Sequence, residues 1–173
     1  AGIPAVKDSV RYHHVEPDAA SNSMNRRWEI YARILREYTF DCVYAIDATD
    51  VAVLWVPSCF ALPEKLVIGS DGESMGVKLW LRKQARMSGL LNSTTTAFHA
   101  LLHDETHGMA VRNAGIVGGR RAVFERALST VVDRMRGLTE IGDMVAWNEV
   151  ALTQGNLITG YPHGPTNLPM YGK

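Results

Sequence analysis

Cys42-Val-Tyr-Ala-Ile-Asp47-Ala-Thr-Asp50-Val-Ala-Val-Leu-Trp55 is the most informative stretch of this chain. Residues 42–46 are short, apolar and partly β-branched or aromatic, which predicts a buried strand of a mostly parallel sheet. Two carboxylates follow at once. A strand end holds side chains rigidly, and open α/β sheets bind ligands just beyond their strand C-termini. Asp47 and Asp50 should repel each other, so a positive group is expected between them. A divalent metal carrying a phosphorylated ligand answers that need. The plainer alternative is that both acids only cap the turn after the strand.

Working outward, Asn22 and Ser23 read as N-cap residues of a helix over Met24–Tyr38. Its buried stripe is expected to be Trp28, Tyr31, Ile34, Leu35 and Tyr38. Arg26, Arg27, Arg33 and Arg36 lie mostly off that stripe and read as a solvated face. Short strands are expected at 9–15, 51–56, 66–69 and 157–159, with a turn at 70–73. Helices are expected at 77–87, 97–109 and 143–152. The clearest helix spans Arg120–Arg136, with Val123, Phe124, Ala127, Leu128, Val131, Val132 and Met135 on one face and Gly137 as its C-cap. Strands alternating with helices indicate an α/β fold.

The 173 residues, 46% of them hydrophobic, suit one globular domain spanning 1–173. Eighteen basic and eighteen acidic residues cancel, which argues against a dedicated nucleic-acid binder. No apolar run approaches the ~20 residues of a membrane span, and no signal peptide is visible. The two cysteines, Cys42 and Cys59, lack CxxC spacing. Cys42 is expected to be a buried free thiol, which leans towards a reducing, cytoplasmic setting. The chain begins at Ala1 rather than Met, as a processed chain or a piece of a longer one would.

Three further segments carry polar groups in suggestive places. Arg112-Asn113-Ala-Gly115-Ile-Val-Gly118-Gly119-Arg120-Arg121 leads into a helix, and a Gly-rich approach to a helix N-terminus favours anions. A tight turn explains the same residues. Gly142-Asp143-Met-Val-Ala-Trp147-Asn148-Glu149 opens another helix, with Asp143 as an N-cap or a site residue. The tail holds His163 in the loop Tyr161-Pro-His163-Gly164-Pro, where an imidazole is open to metal ligation. A competing constellation is His99, His103 and His107, spaced i, i+4 and i+8, with Glu105 available as a base. Such a face chelates zinc in hydrolases, although His-Asp-Glu-Thr-His matches neither HExxH nor HxxEH.

Read in order, the first four segments resemble a nucleotide-sugar glycosyltransferase of the GT-A type over about residues 22–173. Asp47-Ala-Thr-Asp50 is similar to its DxD-like motif, with one extra residue between the acids. Asn113-Ala-Gly-Ile-Val-Gly118 is similar to its sugar-contacting segment. Asp143-Met-Val-Ala-Trp-Asn148 is similar to a D-(x)4-N segment, and His163-Gly164 loosely to a metal-binding H-x-G loop. The resemblance implies a GT-A-like mixed, mostly parallel sheet flanked by helices. With only about 45 residues before Asp47, the N-terminal nucleotide-binding unit reads as shortened or missing.

It further implies a hexosyltransferase-like enzyme that moves sugar from a UDP- or GDP-sugar to a glycan or other hydroxyl acceptor. Asp47, Asp50 and His163 would hold manganese or magnesium. Asn113, Gly115 and Asn148 would bind substrate, Arg26, Arg27 and Lys173 would add charge for phosphate, and Asp143 would serve as base or sugar-recognition residue. The alternatives are the zinc hydrolase and a non-catalytic nucleotide- or carbohydrate-binding module.

Overall fold

The computed structural model describes residues 22–47, 64–92, 96–104, 109–154 and 158–160. The segments expected as strands at 9–15 and 51–56 lie outside them.

Helix α1 runs Ser23–Glu37, with the Asn22 side chain accepting the Met24 N–H at 2.9 Å as its N-cap. It buries Trp28 and Leu35, with Tyr31 packed beside them, but also Asn25. Strand β1, Cys42–Ile46, follows, and only its Ala45 is fully buried. Strand β2 covers Leu66–Ser74, so the turn expected at 70–73 falls inside an irregular strand. Helix α2 spans Leu79–Met87, a short 3₁₀ turn Leu90–Asn92, and helix α3 Thr96–His103. Strand β3 is continuous over Ala110–Arg120 and passes directly into helix α4, Arg121–Met135. Helix α5 spans Asp143–Thr153 and strand β4 Ile158–Gly160.

Among the described residues, four strands lie in the order β1-β3-β2-β4. β3 pairs antiparallel with both β1 and β2, and only β2 and β4 pair in parallel. The expected mostly parallel sheet is therefore corrected. β1, β2 and β4 run one way, and the reversed β3 lies between β1 and β2. Hydrophobic runs carry no record of strand direction, which is why the sequence misled here. The edge position of β1 among the described strands also explains why it is half-buried rather than buried.

Gly118 makes the β1–β3 approach possible. A Cβ there would sit 2.2 Å from the Val43 carbonyl oxygen and 2.8 Å from Tyr44 Cα. Gly118 and Gly119 thus belong to the strand, not to a turn.

Two apolar cores form. The first gathers Trp28 and Leu35 from α1, Phe124, Leu128 and Val131 from α4, and Trp147 and Val150 from α5 against Ile68 and Val117 of the sheet. The second gathers Leu81 and Ala85 of α2, Phe98 and Leu102 of α3, Val111 and Val145. Helix α5 serves both, so every position from Asp143 to Ala151 except Met144 is buried. A helix with apolar neighbours on two sides loses the one-sided pattern of a surface helix. Arg134 and the buried Glu149, 2.5 Å apart, pair α4 with α5. Arg121 donates to the Leu35 carbonyl at 2.7 Å and ties α4 to α1.

Cys42 is disulfide-bonded. That replaces the expected free thiol and removes the compartment argument built on it. The other cysteine of the chain, Cys59, lies outside the described residues. Among the described residues no helix is long and apolar enough to cross a membrane.

Candidate functional site

Asp47 stands one residue beyond β1, yet its backbone is held: its N–H donates to the Gly115 carbonyl at 2.9 Å. The other side of β3 is irregular at the same level. Ile68 pairs with Val117 and Gly69 with Asn113, so β2 advances one residue while β3 advances four. Extra residues in one strand form a bulge, which redirects side chains locally. Here the bulge holds Ala114, Gly115 and Ile116. The Asn113 Oδ1 accepts the Gly115 N–H at 2.7 Å and closes it. A Cβ on Gly115 would lie 2.9 Å from that Oδ1 and 3.2 Å from Asp47 Oδ2. The missing side chain lets the Asn113 amide and the Asp47 carboxylate share one small space.

Helix α1 supplies the positive charge. Arg27 donates to Asp47 Oδ1 at 2.5 Å and to Asp143 Oδ2 at 2.8 Å. Its guanidinium carbon also stands 4.7 Å from the Trp28 ring centroid, a cation–π distance. Asp143 is buried at the start of α5. It further accepts the Trp28 indole N–H at 3.3 Å and the Met144 N–H at 2.8 Å. Asn25 sets the approach of the chain to Asp143. It donates to the Glu140 carbonyl at 2.8 Å and accepts the Gly142 N–H at 3.0 Å.

Asn148, one turn along α5, is fully buried and addresses backbone alone. It accepts from Arg112 N–H at 2.7 Å and donates to the carbonyls of Arg112 at 2.9 Å and Met144 at 2.7 Å. Both amide protons are engaged, so the side chain clamps β3 to α5 instead of facing a substrate. Burial also holds the Arg112 guanidinium below its ordinary pKa.

The structure thus assembles Arg27, Asp47, Asn113, Gly115 and Asp143, drawn from α1, the end of β1, β3 and α5. The positive group expected between two acids is present, but it is Arg27 between Asp47 and Asp143. Both acids pair with Arg27. Asp143 has no open face for an acceptor hydroxyl, because both its oxygens are taken and its side chain is 4% exposed. It positions Arg27. Asp50, His163 and Lys173 lie outside the described residues.

Two other expectations change. Gly118-Gly119 lie within β3 rather than in a loop before α4, and the Arg121 N–H at the start of α4 donates to the Asp41 carbonyl at 2.9 Å. Helix α3 spans Thr96–His103, shorter than the helix expected over 97–109. His99 and His103 themselves stand exposed with ring centroids 4.9 Å apart, while Glu105 and His107 lie outside the described residues. Among the described residues no group of three His, Cys, Asp or Glu side chains is placed to hold a metal.

The sequence reading missed the roles of Asn25 and Arg27. Asn25 carried a signal: it falls three residues before Trp28 on the buried stripe, where a polar side chain needs a partner. Arg27 carried none, since a residue flanking the stripe is ordinarily solvated.

Beside the cluster, an apolar cavity of about 440 Å³ follows the outer flank of β1. Tyr31, Ile34, Phe40, Val43 and Phe124 line it, and it reaches Ile46, the residue before Asp47. Comparison of the chain with protein-family models, with curated proteins and with solved structures finds no match.

Proposed function

We propose that this chain is a metal-dependent glycosyltransferase that takes its sugar from a nucleotide-diphosphate donor. The observation that carries the reading is the meeting of Asp47, at a strand end, with the Asn113–Gly115 bulge. Asp47 is tied there by its own backbone N–H, and its carboxylate faces a space that glycine leaves free of a side chain.

Asp47 is a fitting partner for manganese or magnesium in one respect. Its Oδ1 meets Arg27, while Oδ2 is a hard oxygen donor turned towards Gly115. In this proposal Asp47 holds the ion together with Asp50 and His163. The bound ion supplies charge neutralisation for the departing nucleotide diphosphate. Asn113 and Gly115 shape the sugar pocket, and Asn148 fixes the backbone they hang from. Asp143 and Arg27 orient the Asp47 carboxylate. Arg26 and Lys173 are the further cations proposed for phosphate.

Calorimetric titration with UDP and GDP, with manganese and with chelator, tests the reading. Binding that requires manganese and is lost in Asp47→Asn and in Asp50→Asn, while both variants unfold cooperatively, is the expected result. Binding that survives chelator, or either substitution, overturns it. Turnover of a UDP-sugar panel separates an enzyme from a binding module with the same fold.

A further inference from the structure

Helix α2 and the residue before it, Lys78-Leu-Trp-Leu-Arg82-Lys83-Gln-Ala-Arg86-Met87, hold four basic residues and no acidic one in a chain whose net charge is zero. Leu81 and Ala85 face the second core and are fully buried. With 100° per residue, the opposite face runs Arg82, Arg86, Leu79, Lys83, Met87, Trp80 around the helix. Its apolar members are exposed: Leu79 by 71%, Met87 by 55% and Trp80 by 41%, with Val77 beside them at 50%. Lys83 and Arg86 are also exposed, whereas Lys78 pairs with Glu73 at 3.1 Å.

Large apolar side chains left in water beside basic ones are costly on an ordinary surface helix, and they cluster here within about two turns. A nonpolar protein partner would account for the leucine, methionine and tryptophan, but not for the absence of any acid among them. An anionic bilayer surface accounts for both. Leucine and methionine enter the acyl boundary, tryptophan rests at the headgroup level, and lysine and arginine meet lipid phosphate and carboxylate. We propose that α2 docks the protein on the anionic headgroup surface of a lipid bilayer, with its axis in the interface plane.

The test is co-sedimentation of the intact chain with vesicles of phosphatidylcholine alone and of phosphatidylcholine with phosphatidylserine at low salt. Binding to the anionic vesicles only, weakened by added salt, is expected. Each basic residue near such a surface changes partitioning by about fivefold, so Lys83→Gln with Arg86→Gln should weaken it by about 25-fold. Leu79→Ser with Trp80→Ser should abolish it. These positions are exposed, so circular dichroism should show both double variants folded. Equal binding to neutral vesicles, no binding to anionic vesicles, or binding untouched by either pair of substitutions overturns the proposal.

Discussion

Replacing Arg27 with methionine removes one guanidinium from between two acids, and the two halves of that loss differ in size. The Asp47 side chain is 35% exposed, so solvent screens its half and the expected cost is about 0–1 kcal/mol. The Asp143 side chain is 4% exposed against 23% for Arg27. Breaking a buried pair by removing one member costs about 3–5 kcal/mol. Here the Trp28 indole and the Met144 N–H still address Asp143, which brings the total expectation to about 3 kcal/mol by the same rule. For a chain of this size that is a fall of roughly 6–12 °C in the unfolding midpoint. Asp143→Asn keeps the shape and should cost less. The double variant should then be more stable than the sum of its parts implies, by about 2 kcal/mol. Urea unfolding followed by tryptophan fluorescence measures all three, because Trp28 and Trp147 are buried with ring centroids 5.0 Å apart. Additivity within about 0.5 kcal/mol would show that Arg27 does not stabilise a buried Asp143, and the description of the site would fail.

Four shorter predictions concern the scaffold. Gly118→Ala drives a Cβ into the backbone of Val43 and Tyr44, so thermal unfolding should show a loss of at least about 3 kcal/mol. Gly89→Ala, at a φ of 74° with nothing within 4 Å, should cost only about 1 kcal/mol. Asn148→Ala strips the Arg112 N–H and two carbonyls of their partner. A destabilisation of about 3 kcal/mol and faster hydrogen exchange at the Arg112 amide are expected. Reduction of the Cys42 disulfide should lower stability by about 2–4 kcal/mol in a denaturant titration with and without dithiothreitol.

How far the sequence speaks depends on whether one neighbour or several act on an element. Helix α4 meets the first core on one side, and its buried Val123, Phe124, Ala127, Leu128, Val131 and Met135 are residues its periodicity marks, with Val132, also marked, half-buried at the margin. Gly137 ends that helix region at a φ of 79°, as a C-cap glycine should. Strand β3 was legible only in part. Gly115, Gly118 and Gly119 resemble turn residues, because the need for them arises from Val43, Tyr44, Asp47 and Lys65, all distant in sequence. The reversed direction of β3 is likewise a property of the pairing and not of its residues. At the site, Asp47, Asn113 and Gly115 could be singled out by residue type. Their grouping with Arg27 and Asp143 could not, since it depends on α1, β1 and α5 meeting at one end of the sheet.

Two acids in one place call for a cation, and the fold answers that call with Arg27 before any metal arrives. Arg27 and a divalent ion then compete for Asp47. The guanidinium lies 2.5 Å from Oδ1, so an ion held at Oδ2 would share the carboxylate with a fixed positive charge. Even with the screening of bulk water, a divalent ion and a unit charge at ~5 Å repel by about 1.5 kcal/mol. Removing the charge should therefore tighten manganese binding by about tenfold, even as it weakens the fold. Arg27→Met titrated with manganese well below its unfolding midpoint, with free ion read by electron paramagnetic resonance, measures this directly. Tighter binding places the ion beside Asp47. Unchanged or weaker binding places it elsewhere and leaves the Arg27–Asp47–Asp143 bridge with a purely structural role.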